Sequence, residues 1–169
     1  TVEYDWLRTL KRRPHWVMET STCWNGDVVS RRYRRPGWCR ASTWLGYAAG
    51  AETVSYWLFR AHWSGQEVGH GSVLYADGQP MHIFGEVQQV GREIRTAAEF
   101  LNDSRVAPAR LAVSLSVRSN HLFGVEPMDE QIEQRGYGSI IRDEVFGPLQ
   151  RAHLHRDALL DDHSPEPYE

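Results

Sequence analysis

Cysteine is scarce in this sequence of 169 residues, which holds only Cys23 and Cys39. The two form no CxxC pair and have no histidine at ligand spacing, so they do not make a zinc site. A disulfide between them stays open, and a reduced pair in a cytoplasmic chain is the expectation. Long apolar runs are missing too. None approaches the ~20 residues of a membrane span, and no stretch has the composition of a secretory leader. Nor is there an excess of positive charge. With 19 Lys and Arg against 22 Asp and Glu, the net charge is −3, which argues against a general nucleic-acid binder. The one basic cluster, Arg31-Arg32-Tyr33-Arg34-Arg35, reads as a solvated loop. Internal repeats and low-complexity segments are absent. The first residue is Thr1, and residues 3–12 already read as helix, so the expectation is a fragment or a processed product.

What is present suits a globular chain: 41% hydrophobic and 11% aromatic residues, enough for one domain or pieces of two. Seven residues are Trp. Trp16, Trp24, Trp38, Trp44 and Trp57 crowd one stretch, with Trp63 just beyond. An indole face packs in a core, and it also suits the apolar face of a sugar ring.

In chain order, Trp6, Leu7 and Leu10 space an amphipathic helix that Pro14 stops. Trp16-Val17-Met18 then reads as a buried strand ending in Glu19. A carboxylate at a strand end is solvated, paired or chemically employed, because burying it bare is costly. A long polar loop over residues 20–37 follows, closed by Pro36-Gly37. Trp38, Ala41, Leu45 and Ala48 space a helix ended by Gly50. Residues 53–59 are β-branched and aromatic, which predicts a second buried strand, followed by Arg60, His62, Glu67 and His70 in loop. Ile83, Phe84, Val87, Val90, Ile94, Ala97, Ala98 and Leu101 mark one face of a helix over 83–101. Residues 103–109 read as a linker and 111–117 as a strand. Residues 118–138 read as loop, and 139–155 as a helix that Gly147-Pro148 kinks. The acidic tail should fray. Two buried strands, each followed by a long polar loop and a helix, are the pattern of a parallel α/β fold. In a (β/α)8 barrel, chemistry sits at the strand C-termini, where Glu19 and the Arg60/Glu67/His70 group fall.

With those strand ends placed, a resemblance becomes specific. Trp16-Val17-Met18-Glu19-Thr20-Ser21-Thr22 resembles the nucleophile strand of glycoside hydrolase family 42, the β-galactosidase family. Arg35-Pro36-Gly37 before a helix, Gly50-Ala51-Glu52, Tyr56-Trp57-Leu58-Phe59-Arg60 and Glu67-Val68-Gly69-His70-Gly71 resemble its next elements in the same order. The helix over 83–101 resembles the last barrel helix. The resemblance covers roughly residues 3–102. It implies that residues 1–102 are the C-terminal part of a (β/α)8 TIM barrel, its last two strand–helix units. Residues 103–109 would be a linker, and 110–169 the start of a second α/β domain that packs in a trimer. It further implies a retaining hydrolase of terminal β-D-galactosides with Glu19 as nucleophile. Glu67 and His70 would hydrogen-bond sugar hydroxyls, and Trp24 would wall the sugar subsite. No cofactor and no metal ion is implied, and neither a nucleic acid nor a membrane is an expected partner. One departure stands out. The family commonly has an Asn-Trp pair further along from the nucleophile, whereas the order here is Trp24-Asn25, closer to Glu19.

The acid/base that the resemblance implies is a Glu after Asn on the fourth barrel strand, and nothing before Glu19 supplies it. The chain is therefore expected to carry the nucleophile half of a two-carboxylate site and to be inactive alone. The other reading, from a different class, is a non-catalytic sugar-binding or assembly module derived from such a barrel. Coding sequence upstream of Thr1 would separate the two. Galactoside, arabinopyranoside and fucoside specificity stay open, since a few loop contacts decide between them.

Overall fold

The computed structural model describes residues 2–10, 13–24, 33–125, 136–164 and 168. Of the features named above, Thr1, Lys11, Arg12, Asn25, Arg31, Arg32 and residues 126–135 lie outside them. The chain forms two compact units, residues 14–106 and residues 1–13 with 107–169.

Within the first unit, β1 (His15–Thr20) and β2 (Ala51–Tyr56) pair in parallel. The helix α2 (Trp38–Ala48) connects them in sequence and packs on β2. Antiparallel neighbours can share a tight turn, but a parallel pair needs such a crossover. The register runs from His15↔Ala51 to Thr20↔Tyr56 with two irregularities. β2 therefore starts earlier than the aromatic run suggests and stops before Trp57. Beyond that point the backbone changes partner: Val73 N–H donates to the Leu58 carbonyl and Leu74 N–H to that of Phe59. The Trp57–Leu58 peptide bond is cis. β1 is not a buried strand within this chain. Val17 is 6% exposed, but Trp16 and Met18 are 59% and 65% exposed, because its only strand neighbour among the described residues is β2.

The core of this unit gathers Cys23, Trp24, Cys39, Met81 and Ile83, with Trp38, Tyr56 and Val87 packed against them. Both cysteines are buried free thiols. The expected long helix is two: α3 (Phe84–Thr96) and α4 (Ala98–Asp103), broken at Ala97. Thr96 Oγ1 donates back to the Arg92 carbonyl, a bond that competes with the helix ladder and bends it. α2 has no side-chain cap of its own and starts at Gly37 in the left-handed region. Its free N–H groups are met from α3 instead. Gly37 N–H and Arg40 N–H donate to the two carboxylate oxygens of Glu86 at 2.9 and 2.8 Å, an anion placed where the helix dipole favours it.

In the other unit, β3 (Leu111–Leu115) and β4 (Arg156–Leu160) pair in parallel and in unbroken register. The strand β4 was not foreseen; its Arg156-Asp157 start disguises it. Both residues are buried, and α1 (Val2–Leu10) supplies their partners. Arg8 pairs with Asp157, Arg156 with Asp5 at 3.2 Å, and Thr9 Oγ1 donates to the Ala158 carbonyl. Such charges stay buried only when paired. Residues 1–13 group with 107–169 by their contacts, not with the strands that follow them in sequence. And α1 buries Thr9, while Trp6 and Leu7 are exposed, because β4 offers a carbonyl and two charges.

Residues 118–125, read as loop, lie in helix α5 (Val117–Val125), which takes in Val117, read as the end of the strand before it. Ser116 Oγ accepts the Ser119 N–H at 3.1 Å, an N-terminal cap. Residues 136–140 are helical and run into a π-helical turn over Ile141–Phe146 and then α6 (Gly147–Arg151). The helix stops at Arg151, short of residue 155. Pro148 sits in the first turn of α6, where the π-helical turn gives way to α-helix.

Candidate active site

Glu19 lies one residue from the C-terminal end of β1, and its side chain is exposed. The chain after it turns sharply inward: Ser21, Thr22, Cys23 and Trp24 are all buried, Thr22 completely. The carboxylate thus stands on the rim of a rigid segment. Trp57 N–H donates to the Thr20 carbonyl at 2.9 Å, so the C-terminal ends of β1 and β2 are tied directly beyond Glu19.

Residues after β2 carry the other candidates. Glu67 belongs to a 3-10 turn over Gln66–Gly69, and His70 N–H donates to the Glu67 carbonyl at 2.9 Å. The turn thus ties the backbones of Glu67 and His70. The Trp57 indole N–H donates to Glu67 Oε2 at 3.0 Å, fixing that carboxylate. His62 meets the Trp57 ring edge-on, with centroids 6.0 Å apart. The Nδ1 atom of His70 is buried and has no hydrogen-bond partner among the described residues.

Trp24 is 6% exposed and belongs to the core. Its indole N–H donates to the Gly69 carbonyl, and its own carbonyl accepts the Gly71 N–H at 3.1 Å. The His82 ring is parallel to it within 5°, and Tyr33 tilts against it at 4.9 Å. Arg60 stands apart from these groups. Its exposed guanidinium donates to the Ala76 carbonyl, so its partner is backbone and not a carboxylate.

Sequence reasoning missed Trp57 as a site residue. It was absorbed into the apolar run 53–59, although its place at the end of a parallel strand was a signal. Among the described residues no group of three or more His, Cys, Asp or Glu side chains could hold a metal ion. One carboxylate, that of Glu19, is exposed, and a second, that of Glu67, is held by an indole N–H in the turn that His70 closes.

A family model described as Beta-galactosidase, that of glycoside hydrolase family 42, matches residues 1–97. The β-galactosidase YesZ of Bacillus licheniformis is 32% identical over 161 residues, which is 92% of this chain and 23% of that protein. YesZ of Bacillus subtilis is 33% identical over 125 residues, 73% of this chain and 19% of that protein. Among solved structures, a β-galactosidase from the haloarchaeon Halorubrum lacusprofundi superposes with a TM-score of 0.84 at 22% identity, covering 98% of this chain and 24% of the other. One from Rahnella sp. R3 gives 0.84 at 21% identity, covering 99% and 24%. The structural matches speak for the fold, and the chain spans about a quarter or less of the length of each of these relatives. The family match covers both strand ends and the turn that carries Glu67 and His70, and the chain belongs to glycoside hydrolase family 42.

Proposed function

We propose that this chain carries the nucleophile half of a retaining β-galactosidase site and belongs to a longer protein that hydrolyses terminal β-D-galactosides. The observation behind the reading is the placement of Glu19. It is an exposed carboxylate at the C-terminal end of a parallel strand, beside a strand end whose indole holds Glu67. Residues 1–102 are read as the C-terminal part of a (β/α)8 barrel with its last two strand–helix units, 103–109 as a linker, and 110–169 as the start of a second α/β domain.

In this reading the Glu19 carboxylate attacks the anomeric carbon, and the bond to the leaving oxygen breaks as that oxygen takes a proton from an acid outside this chain. Water then releases the sugar from the glycosyl-enzyme, giving up its proton to the same group, now the base. The two carboxyls of such a pair stand ~5 Å apart. Glu67 and His70 bind sugar hydroxyls. A sugar lacking one would leave a held polar group unpaired, which is how such a site discriminates. Trp24, expected as a wall of the subsite, serves it from behind. The family match favours this hydrolase over a non-catalytic module. We place the longer protein in the cytoplasm as a trimer, which its sedimentation would test.

The decisive experiment replaces Glu19 by Ala in the full-length protein. Turnover of an aryl β-galactoside should fall by roughly 10³-fold or more. Azide, filling the space of the lost carboxylate, should restore aryl release and yield α-galactosyl azide. Activity close to wild type in Glu19→Ala would overturn the assignment.

A further inference from the structure

Trp24 does more than fill the core. It makes two hydrogen bonds to one short segment, from its indole N–H to the Gly69 carbonyl and from the Gly71 N–H to its own carbonyl. These bonds bracket His70. Gly71 permits the approach. A Cβ there would lie 2.5 Å from Cys23 Sγ and 2.9 Å from the Trp24 backbone nitrogen, closer than real Cβ contacts come. On its other side the Gly71 carbonyl accepts the Leu58 N–H at 3.2 Å. The Trp57 indole holds Glu67 at the start of the same segment. Trp57, through its indole, thus holds the start of residues 67–71, and Trp24 holds the middle through its indole and the end through its backbone carbonyl.

We infer that Trp24 is a positioning residue: by clamping Gly69 and Gly71 it sets where Glu67 and His70 stand relative to the loop that follows Glu19. The consequence for sugar recognition rests on the hydrolase reading above; the clamp itself does not. A ring that is 6% exposed has little face to offer a sugar, but its N–H is well placed to hold a buried carbonyl. Phenylalanine would keep the ring and delete that donor, leaving the Gly69 carbonyl without its partner. The segment would then loosen around His70 while the core stayed filled.

The test uses the full-length protein and 4-nitrophenyl β-galactoside. Trp24→Phe should raise KM about tenfold with a much smaller change in kcat, as expected when ground-state hydroxyl contacts are misplaced. In a Glu67→Gln background the same change should cost less than about twofold, because residues acting through one another are not additive. Equal losses in both backgrounds, or no loss in either, would overturn the proposal. Amide exchange gives a second measure that needs no variant. The Gly71 amide should be strongly protected in the wild-type protein, and rapid exchange there would refute the clamp. If the wild-type protein turns over no β-galactoside, the hydrolase reading falls, while Gly71 protection and its loss in Trp24→Phe still decide the clamp.

Discussion

At the scale of single residues, burial decides which reactive side chains are available. Cys23 and Cys39 share the core, and burial pushes both thiols up, Cys39 to about 11. The thiolate is the reactive form. Both should therefore resist an alkylating reagent at pH 8 in the native protein and react at once in denaturant, which a mass measurement would count. Fast labelling of either in the folded state would contradict this packing. Glu19 is the opposite case, an exposed carboxylate on the rim of a buried segment. The strand end at Glu19 and the turn after Glu67 were legible because such features follow from local spacing alone. Trp24 and Trp57 were harder. An indole's part as core, platform or donor depends on which carbonyl or carboxylate lies across a loop, and no local pattern encodes that.

Elements show the same division. α2 was legible from its apolar spacing, yet its N-terminus is capped by Glu86 of α3, distant in sequence. Glu86→Ala should cost about 1 kcal/mol, the usual worth of a lost helix cap, read as a lower Tm with the fold kept; an unchanged Tm would show the cap to be idle. Glu93 extends the same contact. Its carboxyl is held down to about 2 by the Trp44 indole first, then by Arg40 and Gln89. A carboxyl that loses its proton more readily when folded favours the folded state above its ordinary value near 4.5. That contribution fades as the pH falls toward 2. Wild type and Glu93→Gln should thus differ in Tm at pH 7 and converge near pH 2. A gap that persists undiminished at pH 2 would mean another group carries the effect. α1 and β4 mark the limit of pattern reading. A stripe of Trp6, Leu7 and Leu10 points one face inward, but the fold chose the face with Asp5, Arg8 and Thr9, since only that one answers Arg156 and Asp157.

For the whole molecule, the proposed function gives the chain one carboxylate of a pair, and among the described residues β1 has only β2 as a strand neighbour. The isolated 169 residues should show no turnover of an aryl β-galactoside; activity that disappears in Glu19→Gln would sink the view that the acid/base lies elsewhere. The same isolated chain exposes Trp16, Met18, Phe59 and Trp63, each more than half accessible. It should bind a hydrophobic dye far more strongly than the full-length protein, since patches of this kind mark surfaces meant to be covered. Equal dye binding would argue that these side chains face solvent in the complete protein too.

The pairing of α1 with β4 also sets a timetable. Thr9 and its partner Ala158 are 149 residues apart. At roughly 5–20 residues per second of synthesis, α1 waits about 7–30 s after emerging before its strand exists. Residues 14–106, the other compact unit, are all synthesised before that. α1 thus docks well after it is made, and until it does, Asp5 and Arg8 are kept company by water.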